Sequence, residues 1–160
     1  LQIYQTLPEV MASLGAEYEI RHQAGKNSQQ EVAEAYAAAG VEGAEVTEFI
    51  DDVAEAYGCA DLLICRSGAL TVSEVSAAGV GAIFIPFMHK DRQQALNADH
   101  LVACGAAKMI EQPDLSAEKL AQMVRQLDRA QLLSMAQKAR QAAKLDADKV
   151  VAQAIIAITE

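Results

Sequence analysis

The spacing of apolar residues along the chain predicts alternating helices and strands. Near the start, apolar side chains recur every three or four positions and so lie on one face of a helix: Ile3, Leu7, Val10, Met11 and Leu14. Residues 18–22 alternate between apolar and polar, as a half-buried strand does. Residues 62–65 and 82–86 are continuous apolar runs, which are typical of parallel strands buried on both faces of a sheet.

These patterns predict a chain of short strands and helices in alternation. Strands are expected at residues 18–22, 45–49, 62–65, 82–86 and 107–110, and helices at residues 3–14, 28–39, 52–57, 71–78, 91–103, 116–127, 131–143 and 146–158. Such alternation is the pattern of parallel βαβ units. We therefore predict an α/β fold with a Rossmann-like doubly wound parallel sheet, in one domain spanning residues 1–160.

Composition adds that the domain is well folded and acidic. Of the 160 residues, 52% are hydrophobic and 22% are charged, which is too apolar for a disordered chain. The net charge is -9, and the absence of a basic face argues against binding to nucleic acid. The same acidity argues against electrostatic docking of this segment on anionic lipid.

Neither the cysteines nor the other potential ligands predict a metal or another cofactor. The spacings of Cys59, Cys65 and Cys104 match no zinc or redox motif, so we expect buried thiols.

The chain starts at Leu1, within a helical pattern and without a preceding cap. We therefore expect a fragment of a longer protein, in which the last helices could pack elsewhere.

The fold class suggests where a ligand would bind. In an open parallel sheet, ligands bind beyond the carboxyl ends of the strands, which selects three strand–helix junctions: residues 49–51, 66–74 and 87–97. In the middle junction, Ser67 and Gly68 form a turn. The next N–H groups lie at a helix start without helical partners. Such donors and the helix dipole favour an anion, for example a diphosphate.

Glu74 does not fit a site for an anion alone. It lies about one turn into the helix, too close to a diphosphate unless it faces a neutral polar group such as a ribose diol. From the residues alone, a capping box formed by Thr71 and Glu74, which needs no ligand, is an open alternative. Arg66 has two interpretations as well, a phosphate contact or an ion pair with a carboxylate such as Asp61.

The other two junctions carry side chains suited to a sugar and a base. Gln93, Gln94 and Asn97 lie at a helix start, and their amides can donate and accept, as sugar hydroxyls require; the alternative is a solvated helix N-terminus. His89 could act as a base, but we favour a plain loop histidine. Phe49, at a strand end, could cover a flat base or belong to the core.

The chain lacks the familiar catalytic motifs. The segment 66–69, Arg-Ser-Gly-Ala, does not have the G-x-S-x-G frame of a nucleophile elbow. No Walker loop and no G-x-G-x-x-G motif is present, and no pair of carboxylates stands out for glycosidase chemistry. We therefore name no catalytic residue.

Two segments together resemble a known family. Residues 65–74, Cys-Arg-Ser-Gly-Ala-Leu-Thr-Val-Ser-Glu, and residues 86–94, Pro-Phe-Met-His-Lys-Asp-Arg-Gln-Gln, closely resemble the MurG family of bacterial glycosyltransferases. Residues 22–26, 46–52 and 105–107 add support. The resemblance covers nearly the whole chain.

The resemblance implies the C-terminal half of a GT-B fold, in which two Rossmann-like domains face a cleft. In this family the C-terminal domain binds UDP-N-acetylglucosamine (UDP-GlcNAc), and the N-terminal domain binds the lipid acceptor and the membrane. The enzymes transfer GlcNAc to the C4 hydroxyl of undecaprenyl-pyrophosphoryl-MurNAc-pentapeptide (lipid I) in a single inverting displacement without a metal. The product, lipid II, serves peptidoglycan synthesis and hence cell shape and division.

The resemblance also implies roles for residues of this chain. Glu74 would hold the ribose hydroxyls, the backbone of Ile50 would read the uracil edge, and Phe49 would cover the nucleotide. Helix-start N–H groups would face the diphosphate or sugar, and the amides of the third junction would face the sugar. The expected UDP-GlcNAc-binding residues are Phe49, Ile50, Ala69, Leu70, Thr71, Val72, Ser73, Glu74, Gln93, Gln94 and Asn97.

Partners and location follow from the same resemblance. Lipid I and the membrane would be bound through the N-terminal domain, which this chain does not contain. The full-length protein would lie peripherally on the cytoplasmic face of the bacterial inner membrane, whereas the fragment would be soluble and inactive as a transferase. Two alternatives are a GT-B enzyme similar to UDP-GlcNAc 2-epimerase and a non-catalytic nucleotide-sugar-binding module.

Overall fold

Helices and strands alternate through most of the chain in the computed structural model, which describes residues 2–159. The helices are α1 (Gln2–Leu14), α2 (Gln29–Ala38), α3 (Val53–Cys59), α4 (Ala69–Ala78), α5 (Gln93–Ala103), α6 (Ala117–Arg125), α7 (Arg129–Ala142) and α8 (Ala147–Thr159). The strands are β1 (Arg21–Gln23), β2 (Glu45–Thr47), β3 (Leu62–Cys65), β4 (Gly81–Phe84) and β5 (Ala107–Met109), and a 3-10 helix spans Gln112–Asp114.

All of these strands pair in parallel, in two groups. Strand β1 pairs with β2, with Arg21 opposite Glu45. Strand β4 lies between β3 and β5, with Leu63 and Ala107 on either side of Ala82. Parallel neighbours need crossover connections, and here the helices provide them. The predicted α/β fold with parallel strands is confirmed.

Helices cover both faces of the central strand β4. Side chains alternate between the two faces of a strand, and those of Ile83 and Ile85 pack in an apolar cluster with α1 and α6. Those of Ala82 and Phe84 pack in a second cluster with α4, α5 and α7. All four residues are 0% exposed. The two-sided burial is the reason why this segment is a continuous apolar run, as in a doubly wound sheet.

Helix α1 buries the face that its sequence pattern predicts. The five apolar residues of that face, Ile3, Leu7, Val10, Met11 and Leu14, are each 8% exposed or less. The helix packs mainly against α6, where the guanidinium group of Arg125 donates to the hydroxyl of Ser13 at 2.7 Å. Helical periodicity therefore predicted this part of the core correctly.

Strand β3 is less buried than its sequence predicts. Its four residues are half-buried, whereas β4 is fully buried. Among the described strands, β3 pairs only with β4. The other edge of β3 has no hydrogen-bonded neighbour among these strands. The apolar run therefore belongs to an edge strand, which is less buried than the central strand β4.

Several helices start earlier or later than predicted. Helix α4 begins at Ala69 rather than at residue 71, and α5 begins at Gln93 rather than at residue 91. Helix α7 begins at Arg129, two residues before the predicted start, because Asp128 and Gln131 form a capping box. Their reciprocal hydrogen bonds measure 2.7 and 2.9 Å.

The expectation of buried cysteines is wrong for two of the three. Cys59 is the last residue of α3 and Cys104 caps the end of α5, and both are exposed because helix ends face solvent there. Cys65, on β3, is partly buried. Burial raises the pKa of its thiol to about 12, so the thiol is protonated at neutral pH.

Helix α8 carries exposed apolar side chains. More than half of the surface is exposed for Val150, Val151, Ile155, Ile156 and Ile158. Within residues 2–159, however, neither α8 nor another helix is both long enough and apolar enough to cross a membrane.

Candidate functional site

The junction between β3 and α4 places unpaired backbone donors at an exposed helix start. Gly68 is the N-cap residue, and the first helical bond runs from the N–H of Val72 to the carbonyl of Gly68 at 3.0 Å. The N–H groups of Ala69, Leu70 and Thr71 therefore have no acceptor within the helix. Leu70 is 79% exposed, so the helix start is open to an anionic ligand.

The capping-box interpretation of Thr71 and Glu74 is wrong. The N-cap residue of α4 is Gly68, which has no side chain to accept a capping hydrogen bond. Thr71 is the third residue of the helix. A capping box needs its Ser or Thr at the N-cap position. Glu74 therefore lies one turn further into the helix, exposed to solvent, and no capping role accounts for it.

Glu74 lies beside Tyr57 of helix α3. Burial, and then the neighbouring Cys65 and Glu74, raise the pKa of the Tyr57 hydroxyl to about 12. A carboxylate has several lone pairs, so this contact leaves Glu74 able to accept further hydrogen bonds from a ligand.

Two other residues of the predicted set in α4 have structural contacts of their own. Val72 is only 3% exposed and belongs to the core. The hydroxyl of Ser73 donates to the carbonyl of Ala69 at 3.0 Å. Val72 thus anchors α4 in the core, and the Ser73 hydroxyl is engaged within its own helix.

Asn97 joins the third junction to the middle one. Its side-chain N–H donates to the carbonyl of Ser67 at 3.1 Å. In the same helix, Oε1 of Gln94 accepts a bond of 2.8 Å from the N–H of Phe87. These bonds leave the Nε2 of Gln94 and the Oδ1 of Asn97 for other partners. Gln93, at the exposed start of α5, lies next to them.

The first junction exposes an aromatic ring and holds one backbone donor. Phe49 is 66% exposed, so the interpretation of Phe49 as core is wrong. The N–H of Ile50 donates to Oε1 of Gln23, across the loops, at 3.2 Å. The backbone of Ile50 is expected to read a base, but its N–H is already bonded to Gln23. Its carbonyl is the backbone group that remains for this role.

Arg66 is a structural residue rather than a partner of Asp61. Its Nη1 donates to the carbonyls of Ile85 and Pro86 at 2.9 and 3.0 Å, and to Oε1 of Gln112 at 2.9 Å. The Oδ1 of Asp61 instead lies 3.9 Å from Nη1 of Arg129. Because two carbonyls and an amide oxygen surround its guanidinium group, Arg66 ties the ends of β3 and β4 to the 3-10 helix.

His89 fits the loop interpretation. It is exposed, and its Nδ1 lies 3.0 Å from Oδ1 of Asp91. The N–H of Gln93, and then His89, lower the pKa of Asp91 by hydrogen bonding. Within residues 2–159, no group of three or more His, Cys, Asp or Glu residues is arranged to hold a metal ion.

Two residues that the sequence interpretation did not assign also belong to this edge of the sheet. Gln23, one residue beyond the strand predicted at residues 18–22, is the last residue of β1, and its side chain accepts a hydrogen bond from the N–H of Ile50. Ser67 is completely buried, and its hydroxyl has no hydrogen-bond partner within the described part of the chain. Their only sequence signal is membership of the segments 22–26 and 65–74, which carry the family resemblance. The contact between Gln23 and Ile50 joins residues far apart along the chain, and a local pattern does not reveal it.

The fold and the site together define a class of protein. It is a parallel α/β domain with helices on both faces, whose carboxyl edge offers backbone donors, one carboxylate and several amides to an anionic, hydroxyl-rich ligand. The family model described as the glycosyltransferase family 28 C-terminal domain matches residues 2–154, and the chain belongs to this family.

Relatives in Vibrio species match the chain almost throughout. A protein of Vibrio cholerae serotype O1 (strain Classical Ogawa 395) is 92% identical over 156 residues, which are 98% of this chain and 44% of that protein. A protein of Vibrio parahaemolyticus is 80% identical over the same shares. Both are named UDP-N-acetylglucosamine–N-acetylmuramyl-(pentapeptide) pyrophosphoryl-undecaprenol N-acetylglucosamine transferase. The chain thus spans less than half the length of these relatives.

Solved structures agree with this assignment. MurG of Acinetobacter baumannii matches with a TM-score of 0.90 and 40% identity, over 96% of this chain and 45% of that one. The glycosyltransferase VinC matches with a TM-score of 0.70 but only 17% identity, over 100% of this chain and 38% of the other, and so shows the fold alone. These neighbours are GT-B glycosyltransferases, and the expected fold class is confirmed.

Proposed function

We propose that this chain is the donor-binding domain of a GT-B transferase that moves GlcNAc from UDP-GlcNAc to lipid I. The observation that carries the proposal is the start of α4. Three backbone N–H groups without helical acceptors lie there, one turn before the exposed carboxylate of Glu74. The donors suit a diphosphate, and the carboxylate suits the ribose hydroxyls of the same nucleotide. The names of the Vibrio relatives support this choice of donor and acceptor.

The remaining predicted residues complete the proposed donor site. Phe49 would cover the uracil, and the carbonyl of Ile50 would accept from it. Gln93, Gln94 and Asn97 would face the GlcNAc hydroxyls through the amide atoms that their internal hydrogen bonds leave over. Leu70, Val72 and Ser73 would shape the α4 segment against the sugar and phosphate.

The proposed reaction is one inverting displacement. The C4 hydroxyl oxygen of the acceptor forms a bond to the anomeric carbon of GlcNAc as the bond from that carbon to the diphosphate oxygen breaks. The hydroxyl proton passes to a base in the acceptor-binding domain, and UDP leaves with the bonding electron pair. Helix-start N–H groups and the helix dipole stabilise the negative charge that develops on UDP, which lets an acidic domain hold an anionic leaving group.

The location of the whole protein is part of the same proposal. A lipid-linked acceptor would place the complete protein at the cytoplasmic face of the bacterial inner membrane, with membrane contact through its other domain. The net charge of -9 supports this division of roles, because an acidic surface is repelled by anionic lipid.

The first test removes the carboxylate of Glu74. We expect Glu74→Ala to weaken UDP binding by roughly 1–3 kcal/mol, the cost of losing charge-assisted hydrogen bonds. Titration calorimetry on the gene product that contains this chain would measure the change. In the wild type, 2′,3′-dideoxy-UDP should bind more weakly than UDP, and in Glu74→Ala this difference should disappear.

A matched control removes a distant carboxylate. Glu118→Ala, at the exposed start of α6, makes the same change in net charge and should leave UDP affinity unaltered. If folded Glu74→Ala binds UDP and its dideoxy analogue as the wild type does, the ribose contact and the donor-site proposal are wrong.

A further inference from the structure

The side chain of Gln23 bridges two of the loops at the carboxyl edge of the sheet. Gln23 is the last residue of β1, and its Oε1 accepts a hydrogen bond of 3.2 Å from the N–H of Ile50, which follows β2. Backbone bonds from Ala24 to Thr47 (2.7 Å) and from Gly25 to Glu48 (3.1 Å) hold the same two segments together. The exposed amide of Gln23 therefore has a defined position at the ligand edge.

The bond to Ile50 also determines the orientation of this amide. A backbone N–H can only donate, so the carbonyl oxygen of Gln23 must face Ile50. The NH₂ group of Gln23 then points away from Ile50, and within residues 2–159 it has no hydrogen-bond acceptor. No described donor reaches the carbonyl of Ile50 either. The Nε2 of Gln23 is thus a free donor and the carbonyl of Ile50 a free acceptor, one on each side of the hydrogen bond between these two residues.

This pair complements the edge of uracil. Uracil presents an acceptor, O4, next to a donor, N3–H, whereas cytosine presents a donor, its N4 amino group, next to an acceptor, N3. We propose that Gln23 selects the base of the nucleotide, donating from Nε2 to O4 of uracil while the carbonyl of Ile50 accepts from N3–H. The inference rests on the proposed function, which places a uracil nucleotide at Phe49 and Ile50.

The neighbouring aromatic ring supports a base at this position. Phe49 directly precedes Ile50 and is 66% exposed. A flat ring beside a donor–acceptor pair can cover the face of a base while the pair reads its edge. Cytosine would instead bring its amino group against the NH₂ of Gln23 and its N3 against the carbonyl of Ile50, leaving both pairs without a hydrogen bond.

The variant Gln23→Glu separates base selection from loop support. A carboxylate can still accept from the N–H of Ile50 but cannot donate to O4. We expect this variant to lose roughly five- to tenfold in affinity for UDP relative to CDP, the equivalent of one hydrogen bond. Calorimetric titration of the same gene product with UDP and with CDP would measure the ratio. The ratio of the UDP and CDP affinities is the relevant quantity, because the added negative charge weakens the binding of both diphosphates equally and so cancels in the ratio.

Controls keep the outcomes distinct. Gln30→Glu, on the exposed start of helix α2, adds the same charge nearby and should leave the UDP-to-CDP ratio unchanged. If Gln23→Glu does not fold, Gln23→Ala serves instead: the wild type should prefer UDP over 4-thio-UDP, whose sulfur is a weak acceptor, and this preference should vanish in the variant. A wild-type ratio in folded Gln23→Glu, or a retained preference against 4-thio-UDP in Gln23→Ala, would overturn the role of Gln23.

Failure of this inference would differ from failure of the proposed function. If UDP binds and Glu74→Ala weakens it, but substitutions of Gln23 leave base selectivity intact, only the role of Gln23 is rejected. If Glu74→Ala has no effect on UDP binding, the donor-site proposal falls and the assignment of Gln23 falls with it.

Discussion

At the scale of single residues, His22 is a polar side chain that the fold removes from water. It is 6% exposed on strand β1. Its Nδ1 lies 3.0 Å from the hydroxyl of Tyr36, and the ring of Tyr4 packs at 5.4 Å between centroids. Burial lowers the pKa of His22 below its ordinary value of 6.5, because a charged imidazolium is poorly solvated there.

This shift predicts a pH dependence of stability. The unfolded chain takes up a proton at His22 as the pH falls through 6.5, whereas the folded protein takes it up only at lower pH. The free energy of unfolding should therefore decrease as the pH falls below 6.5, until the pKa of the folded state is reached. Urea unfolding at about pH 7.5 and about pH 5.5 would measure this.

Variants at two histidines separate this effect from other titrations. In His22→Gln, the free energy of unfolding should differ less between the two pH values than in the wild type. Its value at either pH should be lower, because the bond to Tyr36 is lost. His100→Gln, on the exposed end of α5, is the matched substitution at the surface. An equal pH dependence in wild type and His22→Gln would show that His22 does not contribute.

At the scale of elements, the contact between α7 and β4 depends on a missing side chain. Helix α7 packs on β4 and α4. A Cβ atom added to Gly81, the first residue of β4, would lie 3.0 Å from the Cβ of Met135 in α7. Since Met135 is itself only 6% exposed, neither partner has free space into which to move.

Gly81→Ala should therefore destabilise the protein. We expect a loss of about 1–3 kcal/mol in the free energy of unfolding, as for other overpacked sites. Gly58→Ala is the matched control: this position lies within α3, and no heavy atom would lie within 4 Å of its added Cβ. Alanine is the better helix former, so urea unfolding should show no loss there. Equal stability of Gly81→Ala and the wild type would show that α7 shifts freely on the sheet.

At the scale of the whole molecule, the proposed donor site is assembled from three strand–helix junctions. Asn97 joins the second and third junctions through Ser67. Tyr57 of α3, the helix that follows the first junction, lies near Glu74 of α4. In the proposed donor site, no single junction would contact base, phosphate and sugar together. On this proposal, selectivity for a complete nucleotide sugar would depend on the fold rather than on one motif.

A panel of nucleotide sugars tests this joint selectivity. We expect UDP-GlcNAc to bind more tightly than UDP-glucose, because the amides at the start of α5 meet a different sugar, and more tightly than GDP-mannose, because base and sugar both differ. Titration calorimetry with the three ligands on the gene product would rank them. Equal affinities for all three would contradict the assignment of the base and sugar contacts.

Local patterns were sufficient for some features and misleading for others. The spacing of Ile3, Leu7 and Val10 predicted the buried face of α1, since a helix face depends on neighbours a turn away. A plausible capping box at Thr71 and Glu74 does not form, whereas an unassigned one at Asp128 and Gln131 does. The same short motif fits several positions, and only the observed helix start decides between them.

The alternation of strands and helices, their parallel arrangement and the resemblance that leads to a UDP-sugar site could all be derived from the order of residues. Contacts between distant segments could not. The bond between Gln23 and Ile50 joins residues 27 positions apart, and the partners of Arg66 lie 19 to 46 positions away. Packing of the helices on the two groups of strands brings these residues together. Which polar groups stay free for a ligand is therefore decided by the tertiary structure, because every internal hydrogen bond removes a donor or an acceptor from the site.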